Sequence, residues 1–255
     1  MTAGASSVSD LDPVPQNVAW VIGGGTGIGL GAARALARQG AHVVLSGRRT
    51  DVLESSAASI RAEGGSASIA VVDVADDASV AAAVRSIVDE YGEVDTLVFS
   101  AGTNVRSRFW QDLAPAEFAS VVDVNLTGAV RAVQSVLPGM RRRGGGLVIL
   151  VSSWAAWRYS PGAGAAYSAS KTALGVLAET VNAEERGNGI RATHFCPGEV
   201  RTDILYTRPV VPTEEAMELM LTADDIGAAV DFVAALPPRV CVNELVITPT
   251  SNVNY

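Results

Sequence analysis

The sequence predicts an α/β fold in which a parallel sheet is wound on both faces by helices. Three observations carry that expectation. From Val18 onward, short apolar runs alternate with longer Ala-rich stretches of helical period, the pattern of strand–helix units. The runs are continuously apolar instead of alternating with polar residues, as in strands buried on both faces. Finally, 255 residues, 48% hydrophobic and 18% charged, suffice for one large core, and α/β folds of ~250 residues form as single units.

Taken in order, VAWVI (Val18–Ile22) reads as the first strand and Gly29–Arg38, after a glycine-rich turn, as the first helix. His42–Ser46 and Ala67–Val72 are the next two apolar runs, separated by the helical stretch Thr50–Glu63. Ala78–Tyr91 is Ala- and Val-rich at helical spacing and leads to the strand Thr96–Ser100. Pro115–Arg142 reads as one long helix, and Arg141 to Arg143 before three glycines mark its C-terminus and complement its dipole. LVILV within Gly146–Val151 is the fifth strand. The helix Ala165–Glu185, the strand Arg191–Phe195, the helix Thr222–Ala235 and the strand Glu244–Ile247 complete seven strands. No Pro/Gly/Ser linker divides the body, so residues 17–255 are expected to form one domain behind a flexible leader, 1–16. Asp203 to Met220 breaks the rhythm with Pro209 and Pro212 and is expected to form a substrate lid over 203–220.

Charge excludes two classes of partner. With 27 acids against 19 bases the formal charge is −8, which opposes binding to nucleic acid or to an anionic membrane. No apolar run approaches the ~18 residues of a membrane span, and the leader lacks a signal-peptide pattern. Cys196 and Cys241 show no CxxC spacing and read as buried free thiols, which fits a reducing cytoplasm. His42 and His194 lack ligand-spaced neighbours, so no metal site is expected. Of the 19 basic residues 18 are arginine, and Lys171 is the only lysine. Coding bias explains that composition blandly; otherwise position 171 needs a compact ammonium that a guanidinium cannot replace.

GGGTGIG, Gly23 to Gly29, lies between the first strand and the first helix. Glycines there let backbone approach a pyrophosphate and aim helix N–H groups at it, so Gly23, Gly25, Thr26, Gly27, Ile28 and Gly29 are candidate cofactor contacts. After the second strand, where an acid would bind a ribose 2′-hydroxyl, the chain instead reads Gly47-Arg48-Arg49. These guanidiniums suit a 2′-phosphate, so NADP(H) is the preferred cofactor, with NAD(H) as the lesser fit. A basic loop facing water is the alternative. Asp73 and Val74 end the third strand beside the expected adenine, although Asp73 serves equally well as a helix cap.

Tyr167 and Lys171 in YSASK stand one helical turn apart and share a face. An ammonium near the phenol is expected to lower its pKa, making Tyr167 a proton donor and acceptor. Ser152 and Ser153, at the carboxyl end of the fifth strand, can hold a substrate oxygen against it, with the choice between them open. Asn125, inside an apolar helical stretch, needs buried partners; it is expected to kink the helix and to support a proton relay through water. Trp154, Trp157 and Tyr159 are expected to line an apolar substrate pocket, or else to pack within the lid.

These residues together resemble the short-chain dehydrogenase/reductase family, over essentially all of Val18 to Thr250. GGGTGIG is similar to its cofactor loop, Ser100-Ala101-Gly102 to its NAG segment, and Asn125, Ser153, Tyr167 and Lys171 to its catalytic tetrad. Pro197-Gly198 and the following EVRTD resemble its PGxVxT stretch, which implies that Val200 and Thr202 bind the nicotinamide carboxamide and phosphates. The resemblance implies a Rossmann-type fold, an NADP(H)-dependent oxidoreductase acting on a carbonyl or secondary alcohol, and a homodimer or homotetramer. Lys171 would then hold the nicotinamide ribose. Ile22 and Ser100 depart from the family's usual Thr and Asn. Ser153 lies 14 residues before Tyr167, one more than usual, so the loop between them is expected to bulge. The ending VNELVITPT resembles members acting on small hydroxy acids or of unassigned substrate. A non-catalytic nucleotide sensor is the rival on the same fold, and sugar-nucleotide epimerisation would need a larger C-terminal region.

Overall fold

A computed structural model describes residues 17–252 except 203, 204, 207 and 209. The expected leader, 1–16, and part of the expected lid lie outside the described residues. Among those described, the strands are β1 Val18–Ile22, β2 His42–Gly47, β3 Ser66–Val71, β4 Val94–Phe99, β5 Gly146–Val151, β6 Ile190–Pro197 and β7 Glu244–Ile247. The helices are α1 Gly27–Arg38, α2 Thr50–Ala62, α3 Asp77–Tyr91, α4 Pro115–Val122, α5 Gly128–Arg143, α6 Trp154–Trp157, α7 Ala165–Glu185, α8 Glu214–Glu218 and α9 Ala223–Ala235.

All seven strands pair in parallel in the order β3-β2-β1-β4-β5-β6-β7, the Rossmann-type doubly wound arrangement. Strand pleating divides the apolar side chains between two layers. Val18, Trp20 and Ile22 pack with α3, α5 and α7, whereas Ala19 and Val21 pack with α1, α2 and α9. Both faces of β1 are therefore dry, which is why VAWVI is apolar throughout. Its one polar atom is matched: Trp20 Nε1 donates to Ser46 Oγ at 2.8 Å, and that hydroxyl donates to the Ala70 carbonyl. The chain leaves β1 toward β2 and β3, then returns to place β4 on its other side. The crevice at the carboxyl ends of β1 and β4 is thus a topological switch point, where ligands bind such sheets.

Three local expectations change. Pro115–Arg142 is not one regular helix, because residues 123–127 form a π turn between α4 and α5. Asn125, fully buried there, exchanges bonds with the backbone of Thr103, accepting from its N–H at 2.7 Å and donating to its carbonyl at 3.0 Å. At this wider turn the buried amide is satisfied by the Thr103 backbone. The segment after Ser153, expected only to bulge, contains α6 and a 3₁₀ turn at Pro161–Ala163. Cys241 is exposed, unlike buried Cys196, because it lies in the loop that leads into edge strand β7.

The basic end of α5 is as expected. Gly144 takes the left-handed conformation at φ 72°, and Arg141, Arg142 and Arg143 pair with Glu185, Glu93 and Asp95. His42 is strand filling, with its ring nitrogens near the Ser66 and Ser68 hydroxyls and its face stacked on Tyr91. No helix among the described residues is long and apolar enough to cross a membrane.

Candidate active site

Two adjoining cavities open at the switch point, with Ile28 and Thr202 in the walls of both. The first, about 420 Å³, is walled by Gly23, Gly25, Thr26, Gly27 and Ile28 from the glycine loop. Arg48 and Arg49 stand at the end of β2, Asp73 and Val74 follow β3, and Ser100, Ala101 and Gly102 follow β4. The loop is pinned from below: the Gly23 and Gly24 N–H groups donate to the Ser46 carbonyl, and Ser56 donates to the Gly25 carbonyl. Gly29 lies behind it, where a Cβ would fall 2.1 Å from the Gly23 carbonyl oxygen. Helix α1 thereby brings its N-terminus against the turn, a cradle of backbone donors that fits a pyrophosphate. Gly29→Ala is expected to destabilise the protein by about 3 kcal/mol and to abolish dinucleotide binding, read by urea denaturation and cofactor titration. An unchanged unfolding midpoint would show that the loop is not constrained in this way.

Asp73 accepts from the Ala75 N–H at 3.0 Å in a local turn, while the cap of α3 is Asp76. Asp73 therefore faces the cavity without serving as that cap.

The second cavity, about 630 Å³, is bounded by Ser152, Ser153, Trp154, Tyr167, Pro197, Gly198, Val200 and Thr202. Additional walls come from Asn104, Arg108, Phe109 and Asn252, and from Leu205, Arg208 and Val210 of the expected lid segment. Met217 and Met220 close a small apolar cluster with Leu205. Of the expected aromatics only Trp154 lines this cavity; Trp157 packs on it with ring centroids 5.0 Å apart, and Tyr159 is 87% exposed. The two serines divide the work. Ser152 is buried and donates to the Lys171 carbonyl at 2.8 Å, whereas Ser153, whose Oγ accepts from the Ala155 N–H at 3.2 Å, stands beside Tyr167 and draws its pKa down.

Lys171 and Asn125 line neither cavity. Both are buried one layer behind Gly102, where a Cβ would meet Lys171 Nζ at 3.2 Å and Asn125 Oδ1 at 3.6 Å. Lys171 Nζ donates to the Val151 carbonyl at 2.8 Å, and Asn125 Nδ2 donates to Ser170 Oγ at 3.1 Å. Burial lowers the Lys171 pKa to about 8.

The expected lowering of the Tyr167 pKa by Lys171 is not found. Burial raises it, and the groups drawing it back are Ser153, Arg208 and Arg108. The ammonium lies 5.9 Å from the ring centroid and is turned toward a carbonyl, so its field does not reach the phenol oxygen strongly enough to offset desolvation.

The sequence reading missed Arg108 and Arg208. Their only signal was position, one a few residues beyond the Ser100 segment and the other inside the lid stretch. It also held that His194 lacks ligand-type neighbours. Register pairs His194 with Glu244, and Cys196 follows two residues along the same strand face. The ligand atoms of the three lie within 4.8 Å of one another. The sulfur, however, is 3.4 and 3.6 Å from the two ring nitrogens, so it packs against the imidazole instead of lying on a lone-pair axis. Burial also pushes the Cys196 thiol up to about 12.

The comparisons agree with this geometry. The short chain dehydrogenase family pattern matches residues 17–209. The chain is 31% identical to an uncharacterised oxidoreductase of Listeria monocytogenes over 93% of this chain and 98% of the relative. It is also 34% identical, over 94% of its own length, to a glycine betaine reductase of Emericella nidulans, of which it spans only 19%. Among solved structures, an alcohol dehydrogenase of the archaeon Thermococcus sibiricus complexed with 5-hydroxy-NADP superposes with a TM-score of 0.82, at 31% identity over 92% of this chain and 97% of that one. The chain belongs to the short-chain dehydrogenase/reductase family. It is an oxidoreductase of that family that uses a nicotinamide dinucleotide with a small-molecule substrate.

Proposed function

We propose that the protein is an NADP(H)-dependent reductase or dehydrogenase of a carbonyl or secondary alcohol, with Tyr167 as the proton donor and acceptor. The observation that carries this reading is that Ser153 and Tyr167 line one cavity, which shares the Ile28 and Thr202 wall with the glycine-loop cradle. Bound in the cradle, the nicotinamide would supply a hydride to a carbonyl carbon or accept one from an alcohol carbon. Ser153 holds the substrate oxygen, and Tyr167 gives that oxygen a proton in reduction or removes it in oxidation, so charge and protons balance. Lys171 and Asn125 are positioning residues behind Gly102, with Lys171 poised to donate to the nicotinamide ribose. Val200 and Thr202 would hold the carboxamide and phosphates. Activity of the wild type on a panel of ketones, oxo acids and secondary alcohols with NADPH or NADP tests the reading; absence of any turnover would overturn it.

Arg48 carries the cofactor preference, supported by its place beside Gly47 at the cavity rim and by a solved relative's NADP-type ligand. Arg48→Ala is expected to weaken NADPH binding about tenfold to a hundredfold, the worth of a hydrogen bond to a charged group, while NADH affinity stays the same. Equal NADPH affinity in variant and wild type would remove Arg48 from the 2′-phosphate site. The same reading takes residues 17–255 as one catalytic unit that assembles as a homodimer or homotetramer, measurable by sedimentation. The two free thiols suit a reducing cytoplasm.

A further inference from the structure

Arg108 and Arg208 stand in the larger cavity with Tyr167 and Ser153. Arg108 is 6% exposed, and its guanidinium is anchored by Nε to the Val105 carbonyl at 2.7 Å and by Nη1 to the Gly162 carbonyl at 3.1 Å. Arg208 is partly exposed, and its Nη1 lies 2.8 Å from a Glu199 carboxylate oxygen. The two guanidiniums are near enough for Arg208 to disfavour the charge on Arg108, and both act on the phenol of Tyr167. Among the described residues lining this cavity the charged side chains are Arg108, Arg208 and Glu199. Glu199 pairs with Arg208, so both arginines stand beside the reacting oxygen with that one carboxylate among the described lining residues.

We propose that the substrate is a hydroxy or oxo acid whose carboxylate is held by Arg108 and Arg208 while its alcohol or carbonyl oxygen meets Tyr167 and Ser153. This inference rests on the oxidoreductase reading and names the substrate class of the same site. An anion placed by both arginines relieves their mutual repulsion. A guanidinium fork matches the planar carboxylate in two parallel bonds. The apolar faces of Phe109 and Trp154 in the same wall suit the carbon chain.

The test is kcat/KM with NADP for short 2- and 3-hydroxy acids, each beside its methyl ester, and for neutral secondary alcohols, in wild type, Arg208→Gln and Arg108→Lys. Wild type is expected to prefer an acid over its ester by about tenfold or more. In Arg208→Gln that preference should shrink mainly through a higher KM for the acid. Arg208 is not part of the buried core, so this variant stays informative if Arg108→Lys fails to fold. Esters turned over as well as acids, or an acid preference unchanged in Arg208→Gln, would overturn the inference and leave the oxidoreductase reading standing. No turnover of acids, esters or alcohols, despite bound NADP, would overturn both.

Discussion

Tyr167→Phe is expected to cut turnover by about 10³-fold while NADPH binding, followed by its fluorescence, stays nearly unchanged. The substitution removes one oxygen from a ring packed beside Ser153 and leaves the glycine-loop cavity untouched, since Tyr167 lines only the second cavity. The pH dependence has a definite direction. Burial raises the Tyr167 pKa above its ordinary 10.0, so the phenol carries its proton throughout the neutral range. As donor for carbonyl reduction it is therefore in the right state from pH 6 to 8, and that rate should be flat there. Alcohol oxidation needs the deprotonated oxygen, whose population grows about tenfold per pH unit below the pKa, and the oxidation rate should climb accordingly. A Phe variant that retains turnover would remove Tyr167 from the chemistry. Oxidation that peaks below pH 7 would contradict the raised pKa.

The fold was legible because strand burial writes itself into composition. β1 and β5 must be apolar on both faces, so VAWVI and LVILV mark their positions without ambiguity, and the observed strands differ from the expected ones by two residues or fewer at every end. The glycine loop was equally plain, since Gly29 cannot be anything larger where it meets Gly23. What the chain order hides is proximity across the sheet. Arg108 and Arg208 are 100 residues apart and converge only because their loops rise from the same end of the sheet. Glu244 reaches His194 only through the β6–β7 register. Electrostatics was hidden for a related reason: YxxxK spacing puts Tyr167 and Lys171 on one helix face, but it does not reveal that Lys171 Nζ is turned to the Val151 carbonyl. Asn125 was recognised as needing partners, yet the π turn that delivers it to Thr103 depends on a backbone 22 residues away.

The lone lysine is where stability and function are expected to pull apart. Lys171 is 4% exposed and its pKa is lowered by burial from 10.5 to about 8. Below pH 8 the folded protein must hold a buried ammonium that the unfolded chain carries freely in water. Between pH 8 and about 10.5 the unfolded chain keeps that proton and the folded one releases it, so the contribution of Lys171 to stability rises with pH across this window and levels off above it, while Cys196, raised from 9.0 to about 12, adds the opposite slope from pH 9. A Lys171→Met variant loses this slope. At pH 7 it is relieved of a charging cost of about 3 kcal/mol but leaves the Val151 carbonyl without its donor, a loss of about 1–2 kcal/mol. The unliganded variant is thus expected to be about 1–2 kcal/mol more stable than wild type by urea denaturation, and to lose turnover. Lys171→Arg should fail differently, because a guanidinium does not shed its proton and is bulkier than the ammonium packed 3.2 Å from the position of a Gly102 Cβ. It is expected to lose both stability and turnover. A methionine variant less stable than wild type at pH 7, with the alkaline slope intact, would show that the buried ammonium is not the source of the pH dependence. An arginine variant with near-wild-type activity would return the single lysine to coding bias.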